Sequence, residues 1–267
     1  GEYTSADSFV DILEQDRYSF NPTLTFTNKT DTTLTIQARK SRFEQQAYPG
    51  LPAVGTVAGN FRIDPHLYAG DPNIPRSYSK VEGVTITLDH RLDDIWSFNV
   101  KGRWSRSGFD QISQGPFGGT PDGFGGPTNW QLIDVDMYQE QREFTINPNV
   151  QAKFNAGPSK NVLLVGADYA RSTDSGFMNT NFLGYFTGLL PEWNPLNPVF
   201  TTPYLNPALS PLFFPMFDFD TVYKTKGVYG QLQTTLYDRV HLLGGLRWAN
   251  IDVEYREAAL FVPQTFT

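Results

Sequence analysis

The sequence predicts an all-β fold: an antiparallel up-and-down transmembrane β-barrel portion of about eight to nine strands, with short turns at one end and long loops at the other. Three observations carry this. Apolar and polar residues alternate in runs of about nine to eleven residues, the length of a tilted strand that crosses a bilayer. The links between runs are alternately short and long, and several structureless links beyond about 12–15 residues are rare in compact soluble domains. Hydrophobic residues make up only 39% of the chain while aromatics reach 15%, which suits a wall with one lipid face and aromatic girdles better than a packed core.

The elements follow in order. Residues 18–26 place Tyr18, Phe20, Leu24 and Phe26 on one face and Ser19, Asn21, Thr23 and Thr25 on the other. After a turn at 28–31, Leu34, Ile36 and Ala38 oppose Thr33, Thr35, Gln37 and Arg39. The first long loop spans about 45–78. Alternation resumes at 84–89, with Val84, Ile86 and Leu88 against Thr85, Thr87 and Asp89. A short break at 91–94 leads into 96–105, where Trp96, Phe98, Val100 and Trp104 alternate with Asn99, Lys101 and Arg103. A second long loop is expected at 109–138. Residues 144–154 set Phe144, Ile146, Val150 and Phe154 against Thr145, Asn147, Gln151 and Lys153. The turn at 156–160 returns the chain through 161–170, and a third long loop is expected at 173–222. A final pair, 227–237 and 240–248, is joined at Asp238–Arg239. Pro22 and Pro148 fall inside strands; proline cannot donate to a ladder, so both are expected at rims or bulges near the short turns.

Composition excludes several functions. There is no cysteine, hence no disulfide scaffold, thiolate metal site or cysteine nucleophile. The net charge of −7 argues against nucleic acid as a partner. His66, His90 and His241 share no spacing with a carboxylate pair, so no catalytic or metal site is assigned. Asp218 and Asp220 are too few for a hard-cation site. The Gly-rich stretch 118–126 lacks the lysine-serine ending of a phosphate loop. The chain opens on Gly1 rather than Met, which predicts a segment of a longer protein.

Several aromatics stand in the long loops where polar residues are the norm. Tyr48, Phe61, Tyr68, Trp130, Tyr185 and Trp193 are therefore candidate ligand contacts, with Arg62 and Arg76 as charge partners. The competing reading of the same residues is loop-on-loop packing or an upper girdle.

The order of phrases resembles a known family. DRYSFNPTLTFT at 16–27, GLPAVGT at 50–56, NIPRSY at 73–78, DHRLDDIWSF at 89–98 and GVYGQLQTTLYDRVHLLGGLRW at 227–248 are similar to TonB-dependent outer-membrane siderophore receptors of the ferrichrome type. The likeness covers most of residues 8–256. It implies a middle segment of a plugged barrel of about 22 strands, so that residues 1–267 form a partial β-barrel domain without the plug and the terminal strands. It implies active import of ferric siderophore through the bacterial outer membrane, driven by the TonB energy-transducing complex acting on the plug, with lipid around the barrel. It implies no enzyme activity and no cofactor. The lumen face, with Asn99, Lys101, Arg103, Gln151 and Lys153, would hold the plug. A passive porin-like barrel and a soluble all-β binding protein are the alternatives.

Overall fold

A computed structural model describes residues 1–118, 130–190, 192–200, 214–257 and 264–266. Within them lie twelve strands and one short helix: β1 (Glu2–Asp7), β2 (Glu14–Phe20), β3 (Thr23–Thr27), β4 (Thr32–Gln45), β5 (Ser77–Arg91), β6 (Trp96–Gly118), β7 (Trp130–Ala156), β8 (Ser159–Thr180), α1 (Phe182–Phe186), β9 (Glu192–Trp193), β10 (Phe214–Leu236), β11 (Val240–Glu257) and β12 (Gln264–Phe266). All strands join one sheet in the order β1-β2-β4-β5-β6-β7-β8-β10-β11-β12, with β3 continuing alongside β4 and β9 added to β7. Neighbours are antiparallel throughout. This is an open arc rather than two packed sheets, so the soluble sandwich falls away.

Register sorts the side chains cleanly. Leu34 pairs with Leu88 and Leu88 with Val100; Ala38 pairs with Val84, Val84 with Trp104 and Trp104 with Phe144. Further along, Val150 pairs with Val165, and Val228 with Trp248. These rows form one apolar face on which Val84, Trp104, Phe144, Val150, Val165, Val228 and Trp248 are exposed, and Leu246, two residues before Trp248 on the same face, reaches 87%. In water such a face would be a liability; in lipid it is the solvent-matched surface. From Phe144 to Phe154 the strand climbs roughly 34 Å. At a tilt of about 40° that is about 26 Å along the membrane normal, the height of a lipid band.

The other face is polar and concave. Thr27, Asp89, Asn99, Asn149 and Gln151, drawn from β3 to β7, line one shared hollow. Leu164 and Leu243 are apolar exceptions on this side.

The strands are longer than alternation implies. The run at 96–105 continues to Gly118, the run at 144–154 already begins at Trp130, and β8 and β10 reach into the expected third loop. The loops placed at 109–138 and 173–222 are therefore corrected: most of the first and both flanks of the second are strand. Above the lipid band neither face is obliged to be apolar, so the hydrophobic period fades while the main-chain ladder goes on. The opening run at 18–26 is in turn split between β2 and β3 around Pro22, whose carbonyl accepts from the Ala38 amide at 3.0 Å. Pro148 lies within β7, opposite Val100, away from the rim; the ladder to β8 is broken at Asn147–Pro148 instead.

The short turns have local causes. The Asn28 side-chain oxygen accepts from the amides of Thr30, Asp31 and Thr32. The Asp93 carboxylate accepts from those of Ile95 and Trp96. Tyr237 and Asp238 both take positive φ, 50° and 55°, the hand that matches the twist of a tight hairpin.

Candidate functional site

Two regions carry polar chemistry: the concave wall, and the cap that the long loops build above it.

On the wall, Asn99, Lys101 and Arg103 pair with Asn149, Asn147 and Thr145, and Gln151 pairs with Ser97. Lys153 shares their face by alternation. A chain of amides crosses the sheet. Asn99 donates to Asp89 at 2.7 Å, and Asn149 donates to Asn99 at 3.3 Å and to Asn147 at 3.4 Å. The Tyr229 hydroxyl then donates to Asn147 at 3.0 Å. That last bond spans β8, because the tyrosine ring lies over Gly166, where a Cβ would sit 2.4 Å from it. Arg247 donates to Asp168 at 2.8 Å on the same side. Among the described residues, Lys101, Arg103 and Lys153 have no ion-pair partner. They present free positive charge to the lumen.

The cap is packed from within. Trp130, Leu132, Ala69 and Trp193 form one buried cluster, reached by Leu51, Leu67 and Phe200. Val10, Tyr68 and Ile74 form a second, reached by Tyr48 and Ile112. The Tyr68 hydroxyl donates to the Ala47 carbonyl at 2.8 Å, and burial, helped by the Asp71 charge, pushes it up to about 12. Beneath them, Asp134 and Asn181 are almost wholly buried. The Asp134 amide donates to Asn181 at 2.9 Å and the Asn181 amide returns to the Asp134 carboxylate at 2.8 Å. Gln114, fully buried, accepts from the Asp71 amide at 2.7 Å.

The eight loop candidates thus fall into three groups. Tyr68, Trp130 and Trp193 are buried, so their faces are spent on loop packing rather than open to a ligand. Arg76 is ion-paired to Glu14 and Asp16 at the edge of the cap. Tyr48, Phe61, Arg62 and Tyr185 stay at least partly accessible. Tyr48 lies 6.0 Å from the Tyr68 ring, and Tyr185 meets Phe117 edge-on at 4.9 Å. Arg62 turns back to the carbonyls of Gly59 and Phe61. Sequence reading missed Gln114, Asp134 and Asn181, polar residues in apparent loops, and Tyr229, whose partner lies two strands away.

An antiparallel wall with a lipid-facing band, a hydrogen-bonded polar lumen and a loop cap at one end defines an outer-membrane barrel. The family follows from comparison: the model described as TonB dependent receptor-like, beta-barrel, matches residues 18–265, and the chain belongs to that family. It is an outer-membrane protein. The ferric-pyoverdine receptor PbuA of a Pseudomonas strain is 31% identical over 90 residues, 34% of this chain and 11% of that protein. The ferric-catecholate import receptor Fiu of E. coli superposes with a TM-score of 0.73 at 16% identity, over 99% of this chain and 40% of Fiu. The ferripyoverdine receptor of the Pseudomonas aeruginosa outer membrane gives 0.65 at 16%, over 99% and 34%. The chain therefore spans well under half of the receptors it matches.

Proposed function

We propose that the chain is a stretch of barrel wall from a receptor that imports a ferric siderophore by active transport and leaves the cargo chemically unchanged. Residues 1–267 then form part of a barrel domain, the rest of the ring joining at the sheet edges β1 and β12. The observation that carries the reading is the family match across residues 18–265, together with relatives named as ferric-siderophore receptors. The lumen cations Lys101, Arg103 and Lys153 and the amides of Asn99 and Gln151 face a plug, through which the TonB complex supplies energy. Multiple weak hydrogen bonds suit a domain that must be held and then displaced.

The ligand surface in this reading is the accessible part of the cap. Phe61 and Tyr185 offer stiff aromatic area at low entropy cost, Tyr48 adds its exposed edge, and Arg62 supplies a forked donor for ligand oxygens. Tyr68, Trp130 and Trp193 hold the loops beneath them, and Arg76 fixes the cap to β2. The test is uptake of labelled ferric siderophore by cells carrying the full-length receptor at equal surface level. Arg62→Ala and Tyr185→Ala should each weaken binding about tenfold, as truncated contact residues do. Unchanged affinity in both places the contacts elsewhere; absence of ferric-siderophore uptake by the unaltered receptor removes the cargo assignment itself.

A further inference from the structure

On the lumen face, free cations descend the wall in consecutive rows. The inward row Arg39–Gly83–Ser105 carries one, the row Gln37–Thr85–Arg103 the next, and the row Thr35–Thr87–Lys101 another. Each row lies one inward position nearer the short turns than the row before it. No residue in these rows is acidic, although the chain has a net charge of −7. Arg39, Lys101 and Arg103 are exposed. Among the described residues they make neither an ion pair nor a side-chain hydrogen bond.

Two of these cations share one hollow. Arg39 and Arg103 line it from opposite corners, with Gly83, Gln37, Thr85 and Ser105 between them. Two strand spacings and two residues of rise separate their Cα atoms by about 12 Å along the wall, a gap that two extended guanidinium side chains can close from both ends. At Gly83 a Cβ would lie 2.7 Å from the Trp104 carbonyl oxygen, so the floor beside Arg39 stays bare. Glu82 also borders the hollow, but its side chain alternates to the outer face, where it stands 3.9 Å from Arg106. Glu143, the inward carboxylate that pairs with Ser105, forms no ion pair with either arginine. Below Lys101 the next inward row brings Asp89, whose carboxylate accepts from Asn99.

We propose that Arg39 and Arg103, with Lys101 below them, form a guiding site on the lumen wall for an anionic ferric chelate, so that the cargo of this receptor carries net negative charge. This rests on the siderophore reading above and adds to it the charge of the cargo and a contact beneath the cap. Forked guanidinium donors match the paired oxygens of carboxylate groups and of similar chelating anions. Charges of one sign in a cleft with low-dielectric walls concentrate the opposite ion, and rings of Arg and Lys do the same in anion-selective pores. In the resting receptor this wall faces the plug. A fixed plug carboxylate would need one clamp. Cations in successive rows instead offer the next site as each is left, which suits an anion in passage. The occupant is therefore the cargo rather than the plug.

The test compares two radio-iron-labelled chelates in cells carrying the full-length receptor: a ferric tricatecholate, which is anionic, and a ferric trihydroxamate, which is neutral. Surface affinity is read in de-energised cells and initial uptake rate in energised ones. Arg39→Gln and Arg103→Gln should each slow uptake of the anionic chelate about threefold, and the double variant about tenfold, the low end of electrostatic focusing. Surface affinity and receptor level should not change, nor should uptake of the neutral chelate where it occurs. Lys40→Gln, next in sequence to Arg39 but turned to the outer face, should leave both rates intact. An unslowed double variant, or import of the neutral chelate alone by the unaltered receptor, overturns the site while ferric-siderophore import stands. Equal slowing of both chelates, or new entry of a large antibiotic through the double variant, assigns the arginines to the plug and overturns the cargo contact. Import of neither chelate by the unaltered receptor removes the cargo assignment itself, and this inference with it.

Discussion

At the residue scale, the contact between Tyr229 and Gly166 ties three strands together by one bond. Gly166→Ala puts a methyl group where the ring lies, 2.4 Å away, and should cost about 1–3 kcal/mol as overpacking does. Tyr229→Phe loses only the bond to Asn147, about 1 kcal/mol, and should partly relieve Gly166→Ala. Denaturant unfolding of the full-length barrel in micelles reads both, and strict additivity would show that the two residues do not touch. Asp134 makes a second residue-level prediction. It lies in the upper extension of β7, well above Phe144 and outside the lipid band. Burial pushes its carboxyl up to about 7; the neighbouring Asp71 charge adds to this, against hydrogen bonds from Gln114 and Asn181. The unfolded chain releases this proton near 3.8. The folded cap retains it, so stability is fully present below that value and is lost as pH rises toward about 7, by at most about 1.4 kcal/mol per unit. Hydrogen exchange at residues 130–136 and 177–182 should be faster in its opening step at pH 8 than at pH 5, after correction for intrinsic exchange. Asp134→Asn should flatten that dependence.

At the scale of the element, each of the long strands β6, β7, β8 and β10 is two strands in series. Its lower part follows a period of two, with few exceptions such as Leu164, because lipid and lumen impose opposite demands on alternate residues. Its upper part is held by the ladder and by packing against the cap. The lower part is intolerant of a register slip, since one residue of slip would carry Lys101 and Arg103 into lipid. Val100 lies midway between Trp96 and Trp104 on the lipid face. Val100→Arg should therefore cost about 2–4 kcal/mol, while Asn99→Arg, its neighbour on the polar face, should cost only about 1 kcal/mol, from the disturbed hydrogen bonds to Asp89 and Asn149. Folding yield and unfolding midpoints in vesicles would separate the two, and equal penalties would contradict the assigned faces.

At the scale of the whole molecule, the sheet is open, with β1 and β12 at its edges. Unpaired edges of a wide sheet invite pairing with other chains, and its lipid face adds a second route to association. Residues 1–267 expressed alone should therefore sediment as heterogeneous assemblies in detergent, whereas the full-length receptor should sediment as a discrete particle. A monodisperse monomer of the isolated chain would mean that the arc closes on itself. The same openness explains why the cap, rather than the wall, holds the buried clusters. A barrel wall one sheet thick has no interior of its own, so Trp130, Trp193 and Tyr68 find burial only where the loops fold over one another.

The sequence by itself determined the strand faces, the short turns and the class of protein. Period-two alternation at Trp96–Trp104 and Phe144–Phe154 is a local property, as are the Asn28 and Asp93 turns, and the order of phrases carried the family. It also named the loop aromatics without revealing which of them are buried. Only the tertiary structure decided that β6 and β7 extend far above the lipid band, because the ladder continues there without a hydrophobic signal. Only it brought Tyr229 to Asn147, Asp134 to Asn181, and Arg39 and Arg103 to one hollow. These contacts join residues far apart in the chain, and they depend on register across several strands, which no single stretch of sequence contains.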